Sequence, residues 1–238
     1  MDFLRFIKIE HRFSVLKAAS PICFALLIVG CASSKSNVQD HIQAANYDPA
    51  TTARIRFITG DTTHAAYISG HSCESFYGAL KSQSADQLGQ KNPHVDTPGL
   101  YPWRDSDKRN MLIGMPSSKK SIAINSTLKQ YDEVVVPAGT PLLAFFAAGG
   151  SQYSCWPKPI RFIPEAGHDY ELELEYVQSS TFSGGCIIGA RELKAEGGVT
   201  KERPLPRDFC VKDLDGTFRT VSPLTQLQKS QEEAEARK

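Results

Sequence analysis

The chain has almost no net charge, with 27 Lys and Arg against 26 Asp and Glu in 238 residues. No basic field is available to hold a run of phosphates, so a nucleic-acid partner is not expected. The sequence also lacks a Gly-x-Ser-x-Gly elbow, a Walker loop and a dinucleotide fingerprint. None of its six cysteines forms a Cys-x-x-Cys pair, and none of its six histidines a His-x-x-x-His pair. Neither a metal site nor another cofactor is expected from such spacing. Ala18 to Gly30 is an apolar run of 13 residues, too short to cross a bilayer comfortably.

That run is informative in another way. Arg5, Lys8, Arg12 and Lys17 precede it, so the first 30 residues have the basic n-region and the h-region of a secretory signal. The run ends Ile28-Val29-Gly30-Cys31, which resembles the lipobox of bacterial lipoproteins. The resemblance implies cleavage after Gly30 and a lipid on Cys31, with the membrane as a partner through that lipid. Ala32, in place of the aspartate that retains such proteins in the inner membrane of enteric bacteria, implies the outer membrane, periplasmic face. Without residues 1–30 the chain keeps 23 basic and 24 acidic residues. Residues 31–52 are polar and lack periodicity, and are expected to be a flexible tether with a reach of roughly 25 Å.

Four cysteines remain beyond Cys31: Cys73, Cys155, Cys186 and Cys210. An even number in an exported chain reads as two disulfides, with three possible connectivities. Cys73–Cys155 with Cys186–Cys210 is the favoured pairing, because the second pair would close a short, turn-rich segment.

Between residues 53 and 221 the pattern is that of a mainly β domain, an antiparallel β-sandwich. Tyr170-Glu171-Leu172-Glu173-Leu174-Glu175-Tyr176 alternates without a break, predicting a half-buried strand with the three glutamates on a wet outer face. Arg54-Ile55-Arg56-Phe57-Ile58 alternates too, and with His64 to Ser69 predicts an opening hairpin across Gly60-Asp61. Arg54 and Arg56 are expected to face outwards and to oppose the glutamates, for a few tenths of a kcal/mol per cross-strand pair. Leu142 to Ala148 is apolar throughout and predicts a central strand covered on both faces. Pro137-Ala138-Gly139, Pro164-Glu165-Ala166-Gly167, Gly197-Gly198 and Asp213-Leu214-Asp215-Gly216 supply turns. Lys120 to Ile124 is expected to be a strand. The tail, residues 222–238, is expected to be a wet helix or disordered.

Residues 75–119 interrupt this pattern. Ser75 to Leu88 predicts a short helix, after which Pro93, Pro98, Pro102 and Pro116 exclude long elements. A long irregular insertion is usually functional or disordered. Tyr101, Trp103, Arg104 and Met111 are anchor-type residues and are the candidate partner-binding positions. No catalytic residues are assigned. Ser69-Gly70-His71-Ser72-Cys73 places Ser, His and Cys together, but an exported Cys73 is expected to be oxidised rather than nucleophilic.

The succession of strand, Pro-Ala-Gly, apolar strand, then Phe162-Ile163-Pro164-Glu165-Ala166-Gly167-His168-Asp169-Tyr170 and an alternating strand is similar to a group of bacterial lipoproteins with a transthyretin-like or immunoglobulin-like β-sandwich. The resemblance covers Val134–Gly189 and, loosely, the Arg54 region. It implies a fold and an envelope location, and no catalytic residues. The expected function is a non-enzymatic binding or scaffold module for an envelope protein complex. The alternative is an envelope hydrolase, or an inhibitor of a cell-wall enzyme, with a site near His71 and the 75–119 loop.

Overall fold

The computed structural model describes residues 38–59, 63–91, 111–124, 130–149, 154–178 and 184–223, all within one compact unit, Ser36–Lys238. Cys31, His94, Tyr101, Trp103, Arg104 and most of the C-terminal tail lie outside the described residues.

Two β-sheets face one another. The first is five-stranded and ordered β11 (Val199–Pro204), β10 (Gly184–Glu196), β9 (Asp169–Gln178), β2 (Thr52–Thr59) and β5 (Gln130–Pro137). It is mixed, because β2 runs parallel to β9 while its other pairings are antiparallel. The second sheet is antiparallel and ordered β13 (Phe218–Val221), β12 (Asp208–Lys212), β8 (Ile160–Phe162), β6 (Leu142–Gly149) and β3 (Thr63–Ser69), with β7 (Ser154–Cys155) paired to β6. Side chains from both inner faces make the main core: Ile55, Phe57, Val134, Val136, Leu172 and Ile188 meet Tyr67, Leu142, Ala144, Phe146, Ile160 and Phe162. Phe57 stacks on Tyr67 across the layers at 5.4 Å between centroids. Each fully buried side chain of this kind contributes about 1.5–3 kcal/mol. The sandwich is the expected one, and β6 is buried on both faces as its unbroken apolar run predicts.

The expected opening hairpin is not formed. β2 and β3 belong to different sheets, and β2 pairs instead with β5 and β9. The Pro-Ala-Gly and Pro-Glu-Ala-Gly turns behave alike: each carries the chain from one sheet to the other, from β5 to β6 and from β8 to β9. Gly167 (φ 77°) is tied there to Thr52 through its N–H, and a Cβ would lie 3.1 Å from the Pro49 carbonyl oxygen. The Gly197-Gly198 and Asp213–Gly216 turns do close hairpins within a sheet. Both glycines of the former have positive φ, which a two-residue type I′ loop requires.

Both disulfides form, with connectivity opposite to the favoured one: Cys73–Cys210 and Cys155–Cys186. Sequence proximity misleads here because β12 and β10 lie in different sheets. Cys186 points into the sandwich, where it meets Cys155 of β7 and ties the two sheets together at one end. Cys210 points out of the second sheet, toward the helix that covers it.

That helix, α2 (Cys73–Ala79), starts at a capping box between Ser72 and Ser75. Cys73, Phe76, Tyr77 and Leu80 recur at helical spacing and pack on Ile68, Leu143 and Phe145 of the outer face. The expected helix over residues 75–88 is thus shifted and shortened. A short bridge, Tyr67 to Lys91, closes the segment onto β3.

The outer face of the first sheet is covered by residues 111–124. β4 (Met111–Leu112) pairs in parallel with β1 (Val38–Gln39), and α3 (Lys119–Ile124) follows. The expected strand at Lys120–Ile124 is therefore a helix. Ser118 and Ser121 exchange backbone-to-hydroxyl hydrogen bonds at its start, a local cap that outweighs the strand preference of Ile122 and Ile124. Residues 38–51, expected to belong to a flexible tether, are folded: after β1, Asp40 caps α1 (His41–Ala45), and Asp48 organises the turn into β2.

Candidate functional site

The residues singled out by sequence fall in three places. Tyr101, Trp103 and Arg104 are outside the described residues, and Met111 is placed only by its backbone, opposite Val38. His71 stands just before α2, with Nδ1 3.5 Å from the Ser75 hydroxyl and its ring edge toward Phe76. The Ser75 hydroxyl is already engaged with Ser72, and Cys73 is consumed in its disulfide. No thiol is therefore available beside His71. His168 lies in its turn, bonded through Nδ1 to Glu192 at 2.9 Å. Among the described residues no three His, Cys, Asp or Glu side chains gather as a metal site would require.

A groove of about 460 Å³ lies between α2 and the β12–β13 hairpin, lined by Glu74, Tyr77, Lys81, Lys212, Thr217 and Phe218. Tyr77 and Phe218 stack at 3.6 Å and close its floor. Burial pushes the Tyr77 hydroxyl up from its ordinary value. Burial also opposes ionisation of Glu74, but hydrogen bonds from its own backbone, Thr220 and Ser72 outweigh it and hold the carboxyl below the usual range. Glu74 is thus occupied in binding the Thr220 N–H and hydroxyl, so this groove offers two lysines and an aromatic wall but no uncommitted acid.

The least expected feature is on the outer face of the first sheet. Arg191, Glu171, Arg56 and Glu133 occupy one register row across β10, β9, β2 and β5, alternating in sign. Arg56 is 1% exposed and Glu171 fully buried. Arg56 donates to Glu133 at 2.6 Å, to Glu171 at 3.0 Å and to the Pro116 carbonyl at 3.0 Å. Burial works to lower the Arg56 pKa, but the two carboxylates outweigh it and the net direction is upward. The second Glu133 oxygen accepts the N–H groups of Ile113, Gly114 and Met115. Ser118 donates to Glu171, whose remaining oxygen faces Arg191 at 3.7 Å. Glu173 is held by Arg191 and by Lys120 at 3.2 Å. The expected wet face is thus dry at Glu171 and Glu173, because the 111–124 segment lies over it. Gly189 sits where a Cβ would collide with the Glu175 carboxylate reaching for Arg191, a close approach of the kind that glycine within a strand permits.

At the end of the sandwich closed by Cys155–Cys186, large apolar side chains are left in solvent. Trp156 is 78% exposed and Tyr176 61%, and Val177 and Ile187, on the outer face of the β9–β10 pair, are also exposed. Tyr176 is in the inward-facing series with Leu172 and Leu174, yet it is largely in solvent. Strand alternation alone did not show this, since it places Tyr176 in the core; the adjoining Trp156, next to a cross-sheet cysteine, was the available sign. Comparison with family models, with curated proteins and with solved structures finds no match for this chain, so these surfaces are read from their own geometry.

Proposed function

We propose that this chain is a lipid-anchored, non-enzymatic binding module of the bacterial envelope, held at the periplasmic face of the outer membrane through Cys31. The observation that carries the reading is the use of the cysteines. Cys73, Cys155, Cys186 and Cys210 pair among themselves, as suits an oxidising compartment. None of the four is left to bond Cys31, which stands behind a basic n-region and an apolar run. Globomycin, which blocks lipoprotein signal cleavage, is expected to accumulate the uncleaved precursor. Cys31→Ala is expected to move the protein to the soluble fraction. Normal processing in the drug would overturn the anchor.

The binding role rests on a sandwich whose two outer faces are already covered, one by α2 and one by residues 111–124, leaving loops and ends as contact surfaces. The segment from Tyr101 through Trp103 and Arg104 to Met111 joins those two covers in sequence and carries the anchor-type residues. A photo-crosslinker at position 103 in intact cells is expected to capture one envelope protein, with capture lost on Arg104→Ala. Capture of nothing at that position would remove the loop from the reading.

A further inference from the structure

We propose that the end of the sandwich around Cys155–Cys186 rests on the lipid surface that holds the anchor, with Trp156 and Tyr176 seated in the membrane interface; this rests on the reading of Cys31 as lipidated. The direction of the chain argues for it. β1 runs parallel to β4. Leu112 packs beside Ile58 and Tyr131, while Ile113 bonds Glu133, two residues further along β5. β4, and β1 with it, therefore runs from the Ile58 level of the sheet toward the Arg56 level. The chain then continues the same way, with Ala44 beside Val135 and Tyr47 under Arg54. The residues that precede Val38 thus join the domain from the side toward which Ile58 ends β2.

That side is also where β9 ends and β10 begins. β2 and β9 are parallel, with Ile58 opposite Glu173. Tyr176 lies three residues further along, about 10 Å beyond at strand spacing. Only six residues, 32–37, separate Cys31 from Val38, so the two α-carbons lie within about 24 Å of each other even at full extension. An acyl chain on so short a lead keeps this end, rather than the opposite one, near the bilayer. The side chains exposed there are of the kind an interface accepts: a Trp and a Tyr, each with an apolar body and a polar tip, with Val177 and Ile187 exposed on the outer face of the same strand ends. Glu175, the carboxylate beside them, is drawn away to Arg191 at 3.3 Å.

The test uses the full-length, acylated protein in phosphatidylethanolamine–phosphatidylglycerol vesicles containing lipid brominated in the acyl chains. The chain has two tryptophans, Trp103 and Trp156, so Trp156→Phe isolates the signal. Trp156 is almost wholly in solvent, and this change is not expected to disturb the fold. The expected result is bromolipid quenching that removes half or more of the Trp156 emission, is absent from Trp156→Phe, and weakens at least twofold in Tyr176→Ser. Equal quenching in wild type and Trp156→Phe, with both floating on the vesicles, would overturn the docking and leave the anchor standing. Failure to float, with no acyl mass on Cys31, would overturn the anchor and the docking with it. A Trp156 emission shifted to the blue without bromolipid quenching, and growing with protein concentration, would assign the patch to a second copy of the chain.

Discussion

Replacing Arg56 by alanine is expected to destabilise the domain by about 3–5 kcal/mol, the cost of breaking a buried ion pair from one side. Among the described residues the guanidinium is the only cation within hydrogen-bond distance of both Glu133 and Glu171, and both carboxylates are buried. Its loss leaves two like charges on the strands either side of β2 and removes the donor to the Met115 and Pro116 carbonyls. Arg56→Lys is expected to recover less than half of the deficit, since one ammonium does not reproduce a fork shared by two carboxylates and two carbonyls. By contrast, the triple change Arg56→Met, Glu133→Leu, Glu171→Leu removes charge from all members together and is expected to cost less than Arg56→Ala alone. Urea unfolding of the three variants checks this ordering. An Arg56→Ala loss below about 1 kcal/mol, the range of an exposed pair, would contradict the dry row of charges.

The same residues mark what the sequence made legible. Alternation places Arg54 and Arg56 on the face shared with the glutamates, and Arg56 does meet one of them, Glu171, whereas Arg54 meets Asp169 instead. It did not show that the face is covered. Alternating apolar and charged residues report which side chains share a face, and a second layer added from residues 111–124 leaves no mark on the strand itself. A substitution such as Glu173→Lys, harmless on a wet face, would here put a third cation beside Arg191 and Lys120. The crossings between sheets were hidden for a related reason. Pro-Ala-Gly and Pro-Glu-Ala-Gly have the chemistry of a chain reversal, and that chemistry is the same whether the next strand joins its neighbour or passes to the opposite sheet. Gly197-Gly198 is read from sequence only as a turn; in the structure its two successive positive φ values close a two-residue hairpin between β10 and β11. The sandwich itself was legible because its signals are repeated over many strands, whereas α3 depends on one pair of serines.

Opening the Cys73–Cys210 disulfide is expected to have the second large effect. The bond links residues 137 apart in sequence, against 31 for Cys155–Cys186. In the chain-entropy account a loop of the longer kind restricts the unfolded chain by about 4–5 kcal/mol, and one of the shorter kind by about 3–4 kcal/mol. The shorter loop lies wholly within the longer one and shortens its free contour when both are closed, but the dependence on length is logarithmic and the order is unchanged. A second consequence is local. Cys73 is the first residue of α2, and the helix is only seven residues long, well below the length at which an isolated helix holds in water. With the bond gone, α2 depends on Phe76, Tyr77 and Leu80 against the outer face and on the hydrogen bonds of Glu74 to Thr220. The double change Cys73→Ala, Cys210→Ala is therefore expected to lower unfolding stability by about 4 kcal/mol, and more than Cys155→Ala, Cys186→Ala does. It is also expected to raise proteolysis and amide exchange first between residues 73 and 91, whereas the other pair loosens the end at Trp156 and Tyr176. Non-reducing peptide mapping checks the premise, and a Cys73–Cys155 peptide would refute it. Equal losses from the two double variants, with exchange rising uniformly, would refute the separate role of the longer bond in holding α2 over the second sheet.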